Sequence, residues 1–162
     1  EKYVNFYNHY YKLPTVILRI FNSFGPGEKP GKYRNVIPNF FEKALKNESL
    51  VITGTGKETR NFTFVEDITR GAFLAAISGK AVGKIINLGN SKEISILRLA
   101  HMVKKMTNNN KEIVFKSKRK WDNSERRQGH LDLAQKLLNF KAETSLEIGL
   151  VAYHRWILKQ LN

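Results

Sequence analysis

Residues 15 to 20 read Thr-Val-Ile-Leu-Arg-Ile, fenced by Leu13-Pro14 on one side and Phe24-Gly25-Pro26-Gly27 on the other. Proline cannot continue a helix and steers the residue before it toward extended backbone, so the run starts cleanly. It is too short for a helix, and too continuously apolar and β-branched for a strand with one wet face. The pattern predicts a strand buried on both faces, the habit of parallel sheets covered by helices. Lys84-Ile-Ile-Asn-Leu88 repeats it and is stopped by Gly89-Asn90.

Helical periods alternate with these runs. Tyr3, Phe6, Tyr7 and Tyr10 recur at helical spacing within residues 1–12, and their aromatic face is expected to pack in the core. Val36, Ile37, Phe40, Phe41, Ala44 and Leu45 mark a second amphipathic helix. Leu50-Val-Ile52 and Asn61 to Val65 read as short strands around a Gly54-Thr-Gly56 turn. Asp67 is expected to cap a helix that buries Ile68, Ala72 and Ala75 or Ala76 and closes at Gly79. Ser95 opens another helix, through Leu99, Val103 and Met106, that ends in Asn108-Asn-Asn110. A short strand at Glu112 to Phe115 and a helix near Leu131 to Leu138 follow. Thr144, with Glu147 three residues on, forms a capping box for a last helix reaching about Leu161. Alternating strands and helices give an α/β fold, with no internal repeat and no linker.

Composition removes several function classes. The chain has no cysteine, so disulfide staples and thiolate metal sites are excluded. No stretch approaches the ~20 apolar residues of a membrane helix. Both features fit a cytoplasmic protein with no membrane partner. The net charge of +14 raises nucleic acid as a partner. The basic residues are spread out, however, with one local run at Lys116, Lys118, Arg119 and Lys120, and no nucleic-acid-binding motif is visible, so that partner is unlikely. A lysine-rich solvated face and an electropositive cleft for a diphosphate both remain open.

Gly54-Thr-Gly56-Lys-Glu-Thr59 begins like a dinucleotide fingerprint, but Thr59 stands where the third glycine belongs and a strand follows. The pyrophosphate needs a helix terminus there. Gly31-Lys32 is followed by Tyr33 and lacks the hydroxyl of a P-loop. His9, His101, His130 and His154 show no metal spacing, and no Gly-x-Ser-x-Gly elbow supports a hydrolase triad.

Three segments, in order, carry a resemblance over nearly the whole chain. They are Leu18-Arg-Ile-Phe-Asn22 with Phe24-Gly-Pro26, Val36-Ile-Pro-Asn-Phe40, and Lys57 to Asp67 with its Arg60-Asn-Phe62. Ile86-Asn-Leu-Gly89 and Thr144-Ser-Leu-Glu-Ile-Gly-Leu150 support them. The chain resembles the carboxy-terminal part of the extended short-chain dehydrogenase/reductase family, the enzymes that epimerise, dehydrate or decarboxylate nucleotide-diphosphate sugars. The resemblance implies a Rossmann-like fold. Residues 1–26 and 84–90 would then supply its last strands and a helix, and 27–83 and 91–162 mainly the small substrate-binding region.

The resemblance also implies roles. Asn22, at the end of a parallel strand, would hydrogen-bond the nucleotide sugar, with Phe21 and Asn22 passing near the nicotinamide of NAD. An Asx-turn cap for the following loop is the alternative for Asn22. Val36 would line the wall near the nucleotide base. Arg60 would grip the diphosphate, for which a guanidinium fork is suited, or else form a surface ion pair with Glu58 or Glu66. A second diphosphate arginine would be Arg126, with Arg119 as the lesser choice. Asn61 and His130 depart from the aspartates common at their positions.

In relatives a Tyr-x-x-x-Lys pair deprotonates a sugar hydroxyl while NAD accepts hydride. Neither that pair nor the cofactor's glycine-rich turn occurs here, so the catalytic residues and most of the NAD site are expected upstream of Glu1. The resemblance is strongest to the UDP-glucose 4-epimerase branch, with UDP-glucuronate decarboxylase and dTDP-glucose 4,6-dehydratase as alternatives and a basic RNA- or polyanion-binding module as a reading of another class. A homodimer through the first helix is a further implication.

Overall fold

The computed structural model describes residues 1–31, 35–118, 126–127 and 129–161, with Arg126, Arg127 and Leu161 described in their backbone only. Arg119, together with Lys120 to Glu125, lies outside the described residues.

In chain order the elements are α1 (Lys2–Tyr11), β1 (Ile17–Ile20), β2 (Ser23–Phe24), α2 (Val36–Leu45), β3 (Leu50–Thr53), β4 (Thr59–Arg60), β5 (Thr63–Phe64), α3 (Val65–Ile77), β6 (Ile85–Leu88), β7 (Ile94–Ser95), α4 (Ile96–Thr107), β8 (Ile113–Lys116), β9 (Arg126–Arg127), α5 (Asp132–Leu138) and α6 (Leu146–Leu161). The pairings β1–β6, β2–β5, β3–β8 and β4–β9 are parallel, and β4–β7 is antiparallel. The α/β reading therefore holds, with parallel pairing dominant.

The chain changes sheets at Asn22. The ladder of β1 on β6 extends one bond further, Phe21 N donating to Leu88 O at 2.9 Å. Asn22 then turns at φ +41°, a left-handed conformation that asparagine tolerates better than most side chains. Its carbonyl accepts from Thr63 N at 3.1 Å, and β2 pairs with β5. The strand that the sequence predicts is real, but burial on both faces is not found: Arg19 and Ile20 are exposed.

Two apolar clusters hold the elements. The larger gathers Ile37, Phe40 and Phe41 of α2, Leu50 and Ile52 of β3, Leu99 and Val103 of α4, and Leu150, Tyr153 and Ile157 of α6 around Phe24, Phe62 and Phe64. The smaller packs Ile68 and Ala75 of α3 and Ala134 and Leu138 of α5 against Ile86 and Leu88 of β6. Ala75, not Ala76, is the buried alanine of α3.

Three local expectations are corrected. The aromatic face of α1 is not core, for no residue of α1 is buried and Tyr3 is 84% exposed. Its rings pack on one another instead, Phe6 on Tyr10 at 5.4 Å and Tyr7 on Tyr11 at 5.3 Å. Asp67 does not cap α3, whose N-cap is Phe64. Its carboxylate accepts from Thr144 N at 2.9 Å and Glu143 N at 3.2 Å. With Thr144 so engaged, Ser145 caps α6, its hydroxyl accepting from Ile148 N at 3.3 Å. Ser95 does cap α4, accepting from Arg98 N at 3.2 Å.

The Gly54-Thr-Gly56 turn joins β3 and β4, which do not pair with each other. Gly54 (φ +102°) and Gly56 (φ +77°) both need the freedom of glycine. Glu58 closes the turn by accepting from Thr55 N at 3.1 Å. Burial pushes the Glu58 carboxyl up, but the turn's backbone N–H groups outweigh it and hold its pKa below the usual value. Among the described residues no helix is long and apolar enough to cross a membrane.

Candidate functional site

Of the residues singled out in the sequence, Asn22, Arg60 and the backbone of Arg126 lie around β4, whereas Val36 does not. Phe21 and Asn22 leave the carboxyl edge of the β1–β6 pair, where open α/β sheets form ligand crevices. Asn22 Nδ2 donates to Asn61 O at 3.0 Å and reaches Asn61 Oδ1 at 3.3 Å. It thus bonds across to the residue that follows Arg60, and the Asx-turn role within its own loop is not what the structure shows. Asn61 is fully buried and its Nδ2 donates to Asn90 O at 2.6 Å.

Arg60 is the last residue of β4, half-buried, with Nη1 donating to Thr59 O at 2.7 Å. On one side of it lies Ile94 of β7 and on the other Arg127 of β9. Arg126 is the register partner of Thr59, so the backbone carrying it is brought beside Arg60, with Arg127 directly across.

Val36 opens α2 and packs against the larger cluster. The preceding Asn35 donates to Ser23 O at 3.1 Å and to Glu28 Oε1 at 2.7 Å, which ties the start of α2 to the segment just after Asn22. Tyr153 holds the same loop from α6, its hydroxyl donating to Glu28 O at 2.7 Å. Burial pushes the phenol's pKa far up, so it stays a donor at every ordinary pH.

Phe21 is fixed from three directions. Its N–H is in the β6 ladder, its carbonyl accepts from Thr63 Oγ1 at 3.2 Å, and its ring lies so close to Gly129 that a Cβ there would meet it at 2.8 Å. The loop at His130 is anchored too, its carbonyl accepting from Asn87 Nδ2 at 2.9 Å. Both backbone groups of Phe21 are therefore engaged within the fold.

A cleft of about 580 Å³ opens beyond the ends of β3 and β8, lined by Gly54, Thr55, Lys57, Glu58, Lys116, Ser117 and Lys118. Three lysines against one carboxylate make it electropositive. Lys116 and Lys118 were visible in the sequence as a basic run; Lys57 joins them only because the parallel pairing of β3 with β8 brings the two loops together. Among the described residues no group of three His, Cys, Asp or Glu could hold a metal ion. His154 sits against the Phe41 ring at 5.4 Å, and burial holds its pKa below the ordinary histidine value.

Comparison with known proteins follows the same lines. Residues 1–89 match the family model described as the NAD dependent epimerase/dehydratase family. An epimerase from Methanothermobacter thermautotrophicus superposes with a TM-score of 0.96 at 42% identity, covering 99% of this chain and 48% of that one. The Bordetella bronchiseptica enzyme WbmF, in complex with NAD+ and UDP, gives 0.85 at 37% identity, covering 99% and 50%. A curated relative, UDP-glucuronic acid decarboxylase 1 of Xenopus tropicalis, is 35% identical over 146 residues, 90% of this chain and 34% of that protein. A solved UDP-glucose 4-epimerase from Thermotoga maritima, with UDP-glucose, gives a TM-score of 0.93 at 28% identity, and a relative from Bos taurus carries the name dTDP-D-glucose 4,6-dehydratase. The chain thus spans about half the length of the solved structures it matches and about a third of that decarboxylase. With an α/β architecture of mainly parallel pairing and a match over residues 1–89, this chain belongs to the NAD-dependent epimerase/dehydratase family.

Proposed function

We propose that the protein containing this chain converts a nucleotide-diphosphate sugar by transient NAD-dependent oxidation of the sugar, most like a UDP-sugar 4-epimerase, and that this chain supplies the nucleotide-sugar recognition. One observation carries the reading: Asn22, Arg60 and the β9 backbone of Arg126, from three distant stretches of sequence, meet around β4 at the carboxyl edge of a parallel pair. In this reading the Arg60 guanidinium and one from β9 hold the diphosphate, Val36 walls the base, and Asn22 contacts the sugar. Lys57, Lys116 and Lys118 draw the anion into the cleft. NAD, when bound, takes up and returns hydride; this chain's part is to edge its site at Phe21 and Asn22 and to hold the sugar still. The general base belongs to sequence outside these residues, and so does the choice between epimerisation and decarboxylation. The decarboxylase branch is the second reading, favoured by the 35% identity over 146 residues.

Calorimetric titration of the full protein with UDP-glucose tests the proposal. Arg60→Ala is expected to weaken binding by about ten- to a hundredfold, the loss of one charge-assisted clamp. Arg126→Ala and Arg127→Ala, run side by side, identify which β9 arginine contributes. Failure to bind UDP or UDP-glucose, with tight salt-sensitive binding of RNA regardless of sequence, would favour the polyanion-binding module instead.

A further inference from the structure

β9 shares with β4 a ladder of two residues, too short to fix a strand by itself. The chain just past β9 is held elsewhere, at the carboxyl end of β6, by contacts on three consecutive residues. A Cβ on Gly129 would meet the Phe21 ring at 2.8 Å, although the backbone there does not need the freedom of glycine. His130 O accepts from Asn87 Nδ2 at 2.9 Å. Leu131 lies over Gly89, where a Cβ would come 3.5 Å from its Cδ2. Side chains alternate along a strand, so Asn87 points away from the face on which Ile86 and Leu88 meet α5. The segment therefore crosses the end of β6, bonded to one face at His130 and packed on the other through α5.

We propose that Asn87 is a positioning residue for the β9 arginines: its bond to His130 O sets where their guanidinium groups can reach. This rests on the nucleotide-sugar reading, in which a β9 arginine holds the diphosphate, and deepens it. Only Gln128 and Gly129 stand between Arg127 and His130, a tether of at most about 10 Å. A shift of the anchor is therefore passed to β9 with little slack. Asn87 stands in the β1–β6 ladder, in register with Arg19, so the anchor itself is rigid. The polarity of its amide is fixed, for a backbone carbonyl can only accept and the nitrogen must face it. A carboxylate of the same shape would turn a lone pair toward His130 O and repel it. An arginine side chain loses much rotamer freedom when it binds, and a fixed backbone leaves less freedom to lose.

The test titrates the full protein with UDP in double-mutant cycles. Asn87→Ala is expected to weaken UDP about three- to fivefold, one neutral hydrogen bond, and Asn87→Asp at least as much. Where the contributing β9 arginine is already alanine, Asn87→Ala should add no more than about 1.5-fold. In an Arg60→Ala background the whole loss should return, because Arg60 is placed by β4 and does not hang on the anchor. A merely structural effect would weaken UDP equally in all three backgrounds, and that result would overturn the proposal. So would unchanged UDP affinity in either Asn87 variant, or UDP binding that neither β9 arginine affects. Gly129→Ala moves the same anchor from its other side and must show the same dependence. It decides the matter should Asn87→Ala not fold. Failure of the unaltered protein to bind UDP would overturn the nucleotide-sugar reading itself.

Discussion

Asp67 lies in the first turn of α3, yet its oxygens serve the segment that enters α6. They accept from Thr144 N at 2.9 Å, Glu143 N at 3.2 Å and Arg70 Nη2 at 2.9 Å. Burial pushes the carboxyl up, but Arg70 and the two backbone N–H groups outweigh it and hold the pKa below the ordinary aspartate value. A carboxyl depressed on folding stabilises above its unfolded pKa of about 3.9 and loses that stability as pH falls through the folded value. Asp67→Asn presents one acceptor where two backbone donors wait. It is expected to cost about 1.5–3 kcal/mol in urea unfolding at pH 7, the range for hydrogen bonds to a charged group. The gap between the two proteins should narrow below about pH 4, where the wild type begins to lose the same stabilisation. A gap that stays constant down to pH 2 would mean that charge is not the cause. Asp67 also marks the limit of residue-level reading. Local pattern suggested a helix cap, because the backbone donors that its carboxylate serves lie more than seventy positions downstream and leave no local signal. Asn22 and Arg60 could be singled out because their motifs are contiguous; the bond that joins their segments through Asn61 leaves no such signal.

The seat of α6 depends on a missing side chain. A Cβ on Gly149 would come 2.6 Å from Phe24 Cζ and 3.0 Å from Phe64 Cδ2, rings that edge each other at 5.8 Å in the larger cluster. Gly149→Ala would have to push α6 off these rings or turn Phe24 out of its packing. Overpacking of this kind costs about 1–3 kcal/mol, more than the gain in helix propensity returns. Thermal unfolding of the variant should show a clear drop in Tm, and an unchanged or raised Tm would mean that α6 slides freely. Tyr153→Phe tests the loop over the crevice from the same helix. Loss of the 2.7 Å bond to Glu28 O should cost about 1 kcal/mol and raise hydrogen exchange across residues 25–31. Helix periods in the sequence placed α2, α4 and α6 well, since apolar spacing is written locally. They failed for α1: spacing tells which rings share a face, not whether anything lies against that face. The two-residue strands β2, β4, β5, β7 and β9 exist only through their pairing, so their bounds were beyond the reach of pattern.

At the scale of the molecule the charge of +14 needs an account, and the structure separates its two candidate roles. Most lysines are solvated and dispersed, but Lys57, Lys116 and Lys118 converge on one cleft of about 580 Å³. If they steer a diphosphate, few charges are involved, and affinity should fall gently with salt. A polyanion laid across many phosphates would give a steep logarithmic slope, close to one unit per phosphate neutralised. Replacing Lys116 and Lys118 together by glutamine should therefore weaken UDP only a few-fold at low ionic strength. The loss should all but vanish above about 0.5 M salt, where the screening length is only a few ångströms. Neither lysine is buried, so stability should hardly move, which keeps the binding readout clean. UDP binding measured across a salt series for both proteins provides the check. Parallel lines of equal slope would remove the cleft from the diphosphate's path, whereas converging lines would join β3 and β8, the crevice edge at Asn22 and the arginines around β4 into a single anion-guided site.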